Sequence, residues 1–158
     1  MNAAKTYATE LANDRIKITM TEFFRNIHSR FYSNQDISFM EYFLELAEHE
    51  DEFVVHHDKL REYGIMTSVR SNDIKKKMDL LMLIEGDDYT LRDVSQRGRS
   101  GAQNHKHYHL TPEAFKKCLM RAQRRANQPV DPVIYCDYYL LLEKVYKLSR
   151  KCFRSSLM

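Results

Sequence analysis

The seven histidines and three cysteines of this 158-residue chain are its side chains of widest chemical range. His105, His107 and His109 alternate within the run His-Lys-His-Tyr-His-Leu. In a strand their imidazoles share one face, with Tyr108 and Leu110 on the other. Imidazoles at that spacing can hold zinc or nickel. No carboxylate or cysteine stands close in sequence, however, and Lys106 adds unfavourable charge. Histidines that solvate the sheet or assist phosphate contact are the simpler reading, so no metal and no cofactor is assigned. His56-His57-Asp58 offers acid–base groups at what reads as a helix start, where the N-terminus lowers a histidine's pKa. Capping or packing accounts for that pair without catalysis. Cys118 falls on an apolar helical stripe and reads as a small core hydrophobe. The sequence contains no G-x-S-x-G elbow, P-loop, paired catalytic carboxylates or Cys–His nucleophile, so an enzyme is not expected.

The cations carry a stronger signal. Net charge is only +3, yet the interval from Asp36 to Gly64 holds nine acidic residues against Lys59 and Arg61, whereas Arg92 to Arg125 holds nine basic residues against Asp93 and Glu113. An acidic segment joined to a basic one gives the molecule a field with direction. Six of those nine cations are arginine, which suits bidentate contacts to phosphate and base edges. Arg70, Asn72, Lys75, Lys76, Arg97, Arg99, Lys106, Lys117, Arg121, Arg124 and Arg125 are therefore the candidate contacts to double-stranded DNA. Most of them would neutralise phosphate, with Arg97, Arg99 and the 72–77 turn of helix best placed for base or groove contact.

The elements that must position these groups follow from periodicity. Residues 1–18 lack an apolar period and read as a flexible tail. A helix begins near Thr21, with Met20, Phe24, Ile27 and Phe31 at helical spacing. Ser38 and Glu41 form a capping box for a second helix that buries Met40, Phe43, Leu44 and Ala47. A short extended piece at 52–55 precedes a helix from His56 to Tyr63 with Gly64 as its C-terminal cap. Ser71 caps a helix over 72–83, with Ile74, Met78 and Leu81 inward. Residues 89–94 and 105–110 alternate and pair as a β-hairpin around the Gly-containing, arginine-bearing loop 96–104. Thr111-Pro112-Glu113 starts a helix predicted to run to about Ala126, with Lys117, Arg121, Arg124 and Arg125 opposite its apolar stripe. Pro129 and Pro132 read as a linker before a long helix over Tyr135–Phe153.

In order, residues 56–110 give helix, turn, helix and a hairpin with a basic tip, the parts of a winged helix. The fold class expected is α+β, mostly helical, with a winged-helix-like core and flanking N- and C-terminal helices. Three segments carry a resemblance: Phe39-Met40-Glu41-Tyr42-Phe43-Leu44, the run from Glu52 to Gly64, and Arg70-Ser71-Asn72-Asp73-Ile74-Lys75-Lys76-Lys77. Three more join them: Glu85-Gly86-Asp87-Asp88-Tyr89, the phrase from Tyr108 to Ala122 that contains Leu-Thr-Pro-Glu-Ala-Phe-Lys, and Asp137-Tyr138-Tyr139-Leu140-Leu141-Leu142-Glu143-Lys144. Together they resemble the MSV-type domain of insect poxviruses and iridoviruses, a relative of Bro-N, KilA-N and phage antirepressor DNA-binding domains. The resemblance covers roughly residues 20–150 and implies a viral DNA-binding protein that regulates transcription or replication.

Composition sets the outer bounds. At 43% hydrophobic and 30% charged residues the chain is not of the disordered class. No stretch approaches the ~18 apolar residues of a membrane span, and no apolar signal segment opens the chain. Three cysteines without a C-x-x-C exclude a disulfide scaffold and point to a reducing compartment, the host nucleus or cytoplasm. The organisation expected is a tail (1–18), a DNA-binding domain (19–128) and a C-terminal helix (129–158) that packs on it or mediates a homodimer. The second function considered is a viral adaptor that self-associates through that helix, with its acidic region a decoy for basic partners.

Overall fold

The computed structural model describes residues 20–94 and 105–157, with side chains described over 21–92 and 106–151. The fold is α+β: among the described residues six helices and three strands run in the order α1 (Met20–Phe31), α2 (Ile37–Ala47), β1 (Val55–His56), α3 (Asp58–Glu62), α4 (Ser71–Leu80), β2 (Tyr89–Val94), β3 (His105–Leu110), α5 (Pro112–Arg121) and α6 (Pro132–Leu157). These residues divide into two compact units, one holding the chain up to Glu45 and from Asp137 onward, the other Leu46–Cys136. The tail and the 96–104 loop, with Arg97 and Arg99, lie outside the described residues.

The first unit is a helical core made of rings. Phe23, Phe24 and Ile27 of α1 are buried, as are Phe39, Met40 and Phe43 of α2 and Tyr138, Tyr139, Leu142 and Val145 of α6. Phe43 meets Tyr139 edge-on at 5.1 Å, and Phe24 lies 6.2 Å from Tyr146, separations at which aromatic pairs attract beyond their buried area. A polar pair sits inside: the Tyr138 hydroxyl and His28 Nδ1 share a hydrogen bond of 2.5 Å. Burial lowers the His28 pKa and raises that of Tyr138, so both stay neutral at pH 7. The start of α2 differs from the expected capping box. Asp36, one residue outside the helix, accepts from the Ser38 amide at 2.9 Å and from its hydroxyl at 2.6 Å, while Glu41 lies 3.4 Å from Arg25. Asp36 holds the first turn through one carboxylate oxygen, Oδ1, which accepts from both Ser38 groups and as an ion makes the stronger, charge-assisted bonds.

The second unit holds the sheet, ordered β1-β3-β2 and antiparallel throughout. The predicted hairpin is present, with Tyr89 opposite Leu110 and Arg92 opposite His107. β1 adds to its free edge, with Val55 opposite Leu110 and His56 opposite His109. Period-two alternation sorts the sheet: Val55, Tyr89, Tyr108 and Leu110 are buried on one face, whereas His56, Thr90, Arg92, His107 and His109 remain partly or largely exposed on the other. Leu60, Tyr63, Ile74, Met78, Phe115 and Leu119 join the buried face in a core of helices and sheet.

Four helix boundaries depart from the periodicity. His56 pairs in the sheet and His57 precedes the helix, so α3 begins only at Asp58. Ser71 is the first residue of α4 rather than its cap. Arg70 takes the cap position with no side-chain bond, and Ser68 Oγ instead donates to Asp73 in the first turn at 2.9 Å. α5 has the expected Thr111 cap, which accepts from the Ala114 amide at 3.2 Å, a bond worth about 1 kcal/mol. It ends early, at Arg121, because Ala122 turns extended (φ −73°, ψ 143°) and the chain folds back until Gln128 Nε2 donates to the Gly64 carbonyl at 2.5 Å. α6 starts at Pro132, before the linker reading allowed, since Asp131 Oδ1 accepts from the Val133 amide at 3.0 Å and proline suits the first helical position.

Gly64 fulfils its expected role twice over. Its φ of +76° favours glycine, and a Cβ there would stand 2.6 Å from the Val130 carbonyl oxygen.

Candidate functional site

The second unit contains two groups of side chains with functional character, one cationic and one of imidazoles. Sequence placed Lys75 and Lys76 on one exposed helix face and Arg124 and Arg125 on another. The fold rearranges both pairs. Lys75 Nζ lies 2.7 Å from Asp79 Oδ1, and that bond raises the lysine's pKa. Arg124 is bound to Asp131, donating from Nε at 2.7 Å and from a terminal nitrogen as well, and this bond lowers the carboxylate's pKa. Each of these two cations thus already has an anionic partner. Arg125, one residue on, is outside any helix because α5 stops at Arg121.

Lys76, Lys77 and Arg125 line one open cleft of about 390 Å³, together with Ile65, Met66, Thr67, Ser68, Asp73 and Leu80. Lys76 and Arg125 are exposed, Lys77 half-buried. Among the described residues none of the three forms an ion pair within 4.0 Å, and Asp73 is the carboxylate beside them. Lys77, within the 72–77 turn, was not itself named among the candidate contacts; successive helical residues sit about 100° apart, and the face that matters is set by the 125 segment. Arg70 and Asn72 are exposed at the start of α4, Lys106 is exposed on β3, and Lys117 and Arg121 are exposed on α5. Nothing described joins these five to the cleft. Cys118 is buried and its thiol is pushed up to about 12, which suits the core role read from sequence.

The imidazoles converge more tightly. His56 and His57 rings stand 4.1 Å apart, His56 and His107 4.9 Å, His56 and His109 5.1 Å, and His57 and His107 5.4 Å. The backbone fixes which nitrogen carries the proton. The Asp58 amide donates to His56 Nδ1 at 3.1 Å, so the His56 proton sits on Nε2 and is donated to His107 Nδ1 at 2.7 Å. Likewise the Tyr108 amide donates to His57 Nδ1 at 3.1 Å while the His57 amide donates to the Tyr108 carbonyl at 3.0 Å. The His57 ring thereby stands in for a backbone carbonyl and extends the β1–β3 ladder by one rung.

Burial lowers the pKa of His56, His57 and His109, that of His57 to about 4, and its neighbour His56 adds to the His57 shift. The Arg92 guanidinium on the same face lowers His109 further. His109 Nδ1 is buried without a hydrogen-bond partner among the described residues. Asp58 is the carboxylate of the group, 3.3 Å from His56 Nδ1 and 3.5 Å from His57 Nε2.

The sequence reading treated His56-His57 and the 105–109 run as separate, and found no carboxylate near the latter. Antiparallel pairing of β1 with β3 unites them and delivers Asp58. The signals available were the alternation of 105–110 and the short extended piece at 52–55; which strand would pair with which was not in them. The His105 side chain lies outside the described residues.

Compared with protein-family models, curated proteins and solved structures, the chain finds no match. No helix among the described residues is long and apolar enough to cross a membrane.

Proposed function

We propose that the second unit binds double-stranded DNA, serving viral transcription or replication as the family resemblance implies, and that its core is a winged helix. The observation that carries the reading is the meeting of Lys76 and Lys77 with Arg125, from segments some fifty residues apart, around one open cleft, none of the three ion-paired among the described residues. Cations left unpaired at a concave surface are free to exchange their counterions for phosphate, which is the main sequence-independent source of DNA affinity. Supporting it are the order of β1, α3, α4, β2 and β3 and the closure of β1 on the hairpin, which would leave α4 to enter a groove and the 96–104 loop to lie along the backbone.

Fluorescence anisotropy with a labelled duplex across a salt series tests the proposal. Contact with about six phosphates gives log K against log[salt] a slope near −5. The pair K76A/R125A should reduce that slope by about 2 and weaken binding at least tenfold, while K75A, already paired with Asp79, should change it little. Binding indifferent to salt, or equal in the pair variant and the parent, would falsify the reading.

A further inference from the structure

We propose that a second copy of this chain docks on the segment between α4 and β2, where Leu80, Met82 and Ile84 form an exposed apolar knob, to give a two-fold symmetric dimer. The inference does not rest on the DNA reading. Among the described residues these are the three most exposed large hydrophobics, at 75%, 82% and 59%, and they fall within five consecutive positions around the buried Leu83. Single apolar side chains scattered over a surface are ordinary, whereas several together mark a contact site.

The backbone under the knob is held against its preference. α4 ends in a Schellman motif: the Met82 amide donates to the Asp79 carbonyl at 3.0 Å and the Leu83 amide to the Met78 carbonyl at 2.9 Å, with Met78 and Leu83 both buried. The left-handed position of that motif belongs to Met82, at φ +57°, where glycine is the usual occupant. Because the Met82 side chain is exposed, packing within the monomer does not offset that strain. Strain kept at a surface points to a contact made there, and methionine adapts readily to an apolar partner.

Charge identifies the occupant. On the α4 side Lys76 and Lys77 stand one turn before Leu80 and line the same cleft. On the β2 side Glu85 and Asp87 flank Gly86 and are exposed. Among the described residues none of these four forms an ion pair within 4.0 Å, whereas Asp79 is taken by Lys75 and Asp88 accepts from the Ile84 amide. The knob is therefore basic at one end and acidic at the other. A polyanion would be repelled at Glu85 and Asp87, and a basic protein at Lys76 and Lys77. A second copy turned by 180° brings the partner's Glu85 and the partner's Asp87 to Lys76 and Lys77, with the apolar side chains between. The same rotation makes the reciprocal contacts, which is the self-complementarity that a two-fold interface requires. Lys76 and Lys77 also line the cleft proposed for DNA, so duplex and second copy compete for them.

Sedimentation velocity on the full chain without nucleic acid, at up to about 200 µM because a small interface binds weakly, tests the assignment. The parent should dimerise, and less so as salt rises. K76E/K77E and E85K/D87K should each dimerise at least tenfold more weakly, since each sets like charges against each other. Mixed in equal amounts, those two variants should regain a dimer within about threefold of the parent's affinity, because each then supplies the charge the other lacks. M82G should also weaken the dimer at least tenfold while its urea midpoint rises, the opposite of what a misfolded variant would show. A parent that stays monomeric, a mixture no more dimeric than its components, or an M82G that dimerises as the parent does overturns the proposal.

Discussion

Each unit buries histidine, and the two do so in different ways. In the helical unit His28 is enclosed by rings and meets one hydroxyl, Tyr138. In the sheet unit His56, His57, His107 and His109 meet chiefly one another, on a face that water still reaches. Desolvation lowers the pKa of His28 as it does those of His56, His57 and His109, so charge alone does not distinguish the sites. What distinguishes them is where the lone pairs point. His28 spends its Nδ1 on the Tyr138 hydroxyl inside the aromatic core. The sheet cluster keeps a pair of facing nitrogens, and a buried one without a partner among the described residues, behind a face that water partly reaches.

Acid gives the sharpest test of the shared feature. The folded pKa values of His28 and His57 lie below the unfolded value of about 6.5, so their stabilisation is present above pH 6.5 and is lost as pH falls toward the folded values. For His57 that window runs from about 6.5 down to about 4. Urea unfolding with a chelator present should lose up to ~1.4 kcal/mol per pH unit for each such group. A midpoint that stays flat between pH 6.5 and 4.5 would contradict the neutral assignment of both sites.

Smaller effects should separate the units. Tyr138→Phe leaves His28 Nδ1 buried without its hydrogen-bond partner, a loss of about 1–3 kcal/mol in chemical denaturation at neutral pH. His107→Gln removes the partner of His56 where water can replace it, and should cost less than about 1 kcal/mol in the same assay. Equal costs for the two would mean that the sheet face is as dry as the aromatic core, and the comparison would fail.

Sequence fixed the elements better than their ends. The β-hairpin, the Thr111-Pro112 helix start, Gly64 as a turn glycine and Cys118 as a core residue were all legible, because each follows from local sterics or from alternation and helical spacing along one segment. The start of α3 and the early end of α5 were not, because distant groups decide them: Tyr108 holds His57 in the ladder, and Gly64 accepts from Gln128. At the starts of α4 and α6 local bonds, Ser68 to Asp73 and the Val133 amide to Asp131, shift the boundary instead.

The same division runs through the candidate sites. From the order of residues alone follow a helix-rich α+β chain, a basic segment distinct from an acidic one, and one histidine run, 105–109, with the alternation of a strand. Only folding decided that Arg125 joins Lys76 and Lys77 while Arg124 and Lys75 are taken by Asp131 and Asp79. Only folding set His56 against His107 and His109. Propensity and periodicity are properties of a few consecutive residues, whereas strand register and ion pairing depend on which surfaces meet when the core closes, and no short stretch of sequence contains that choice.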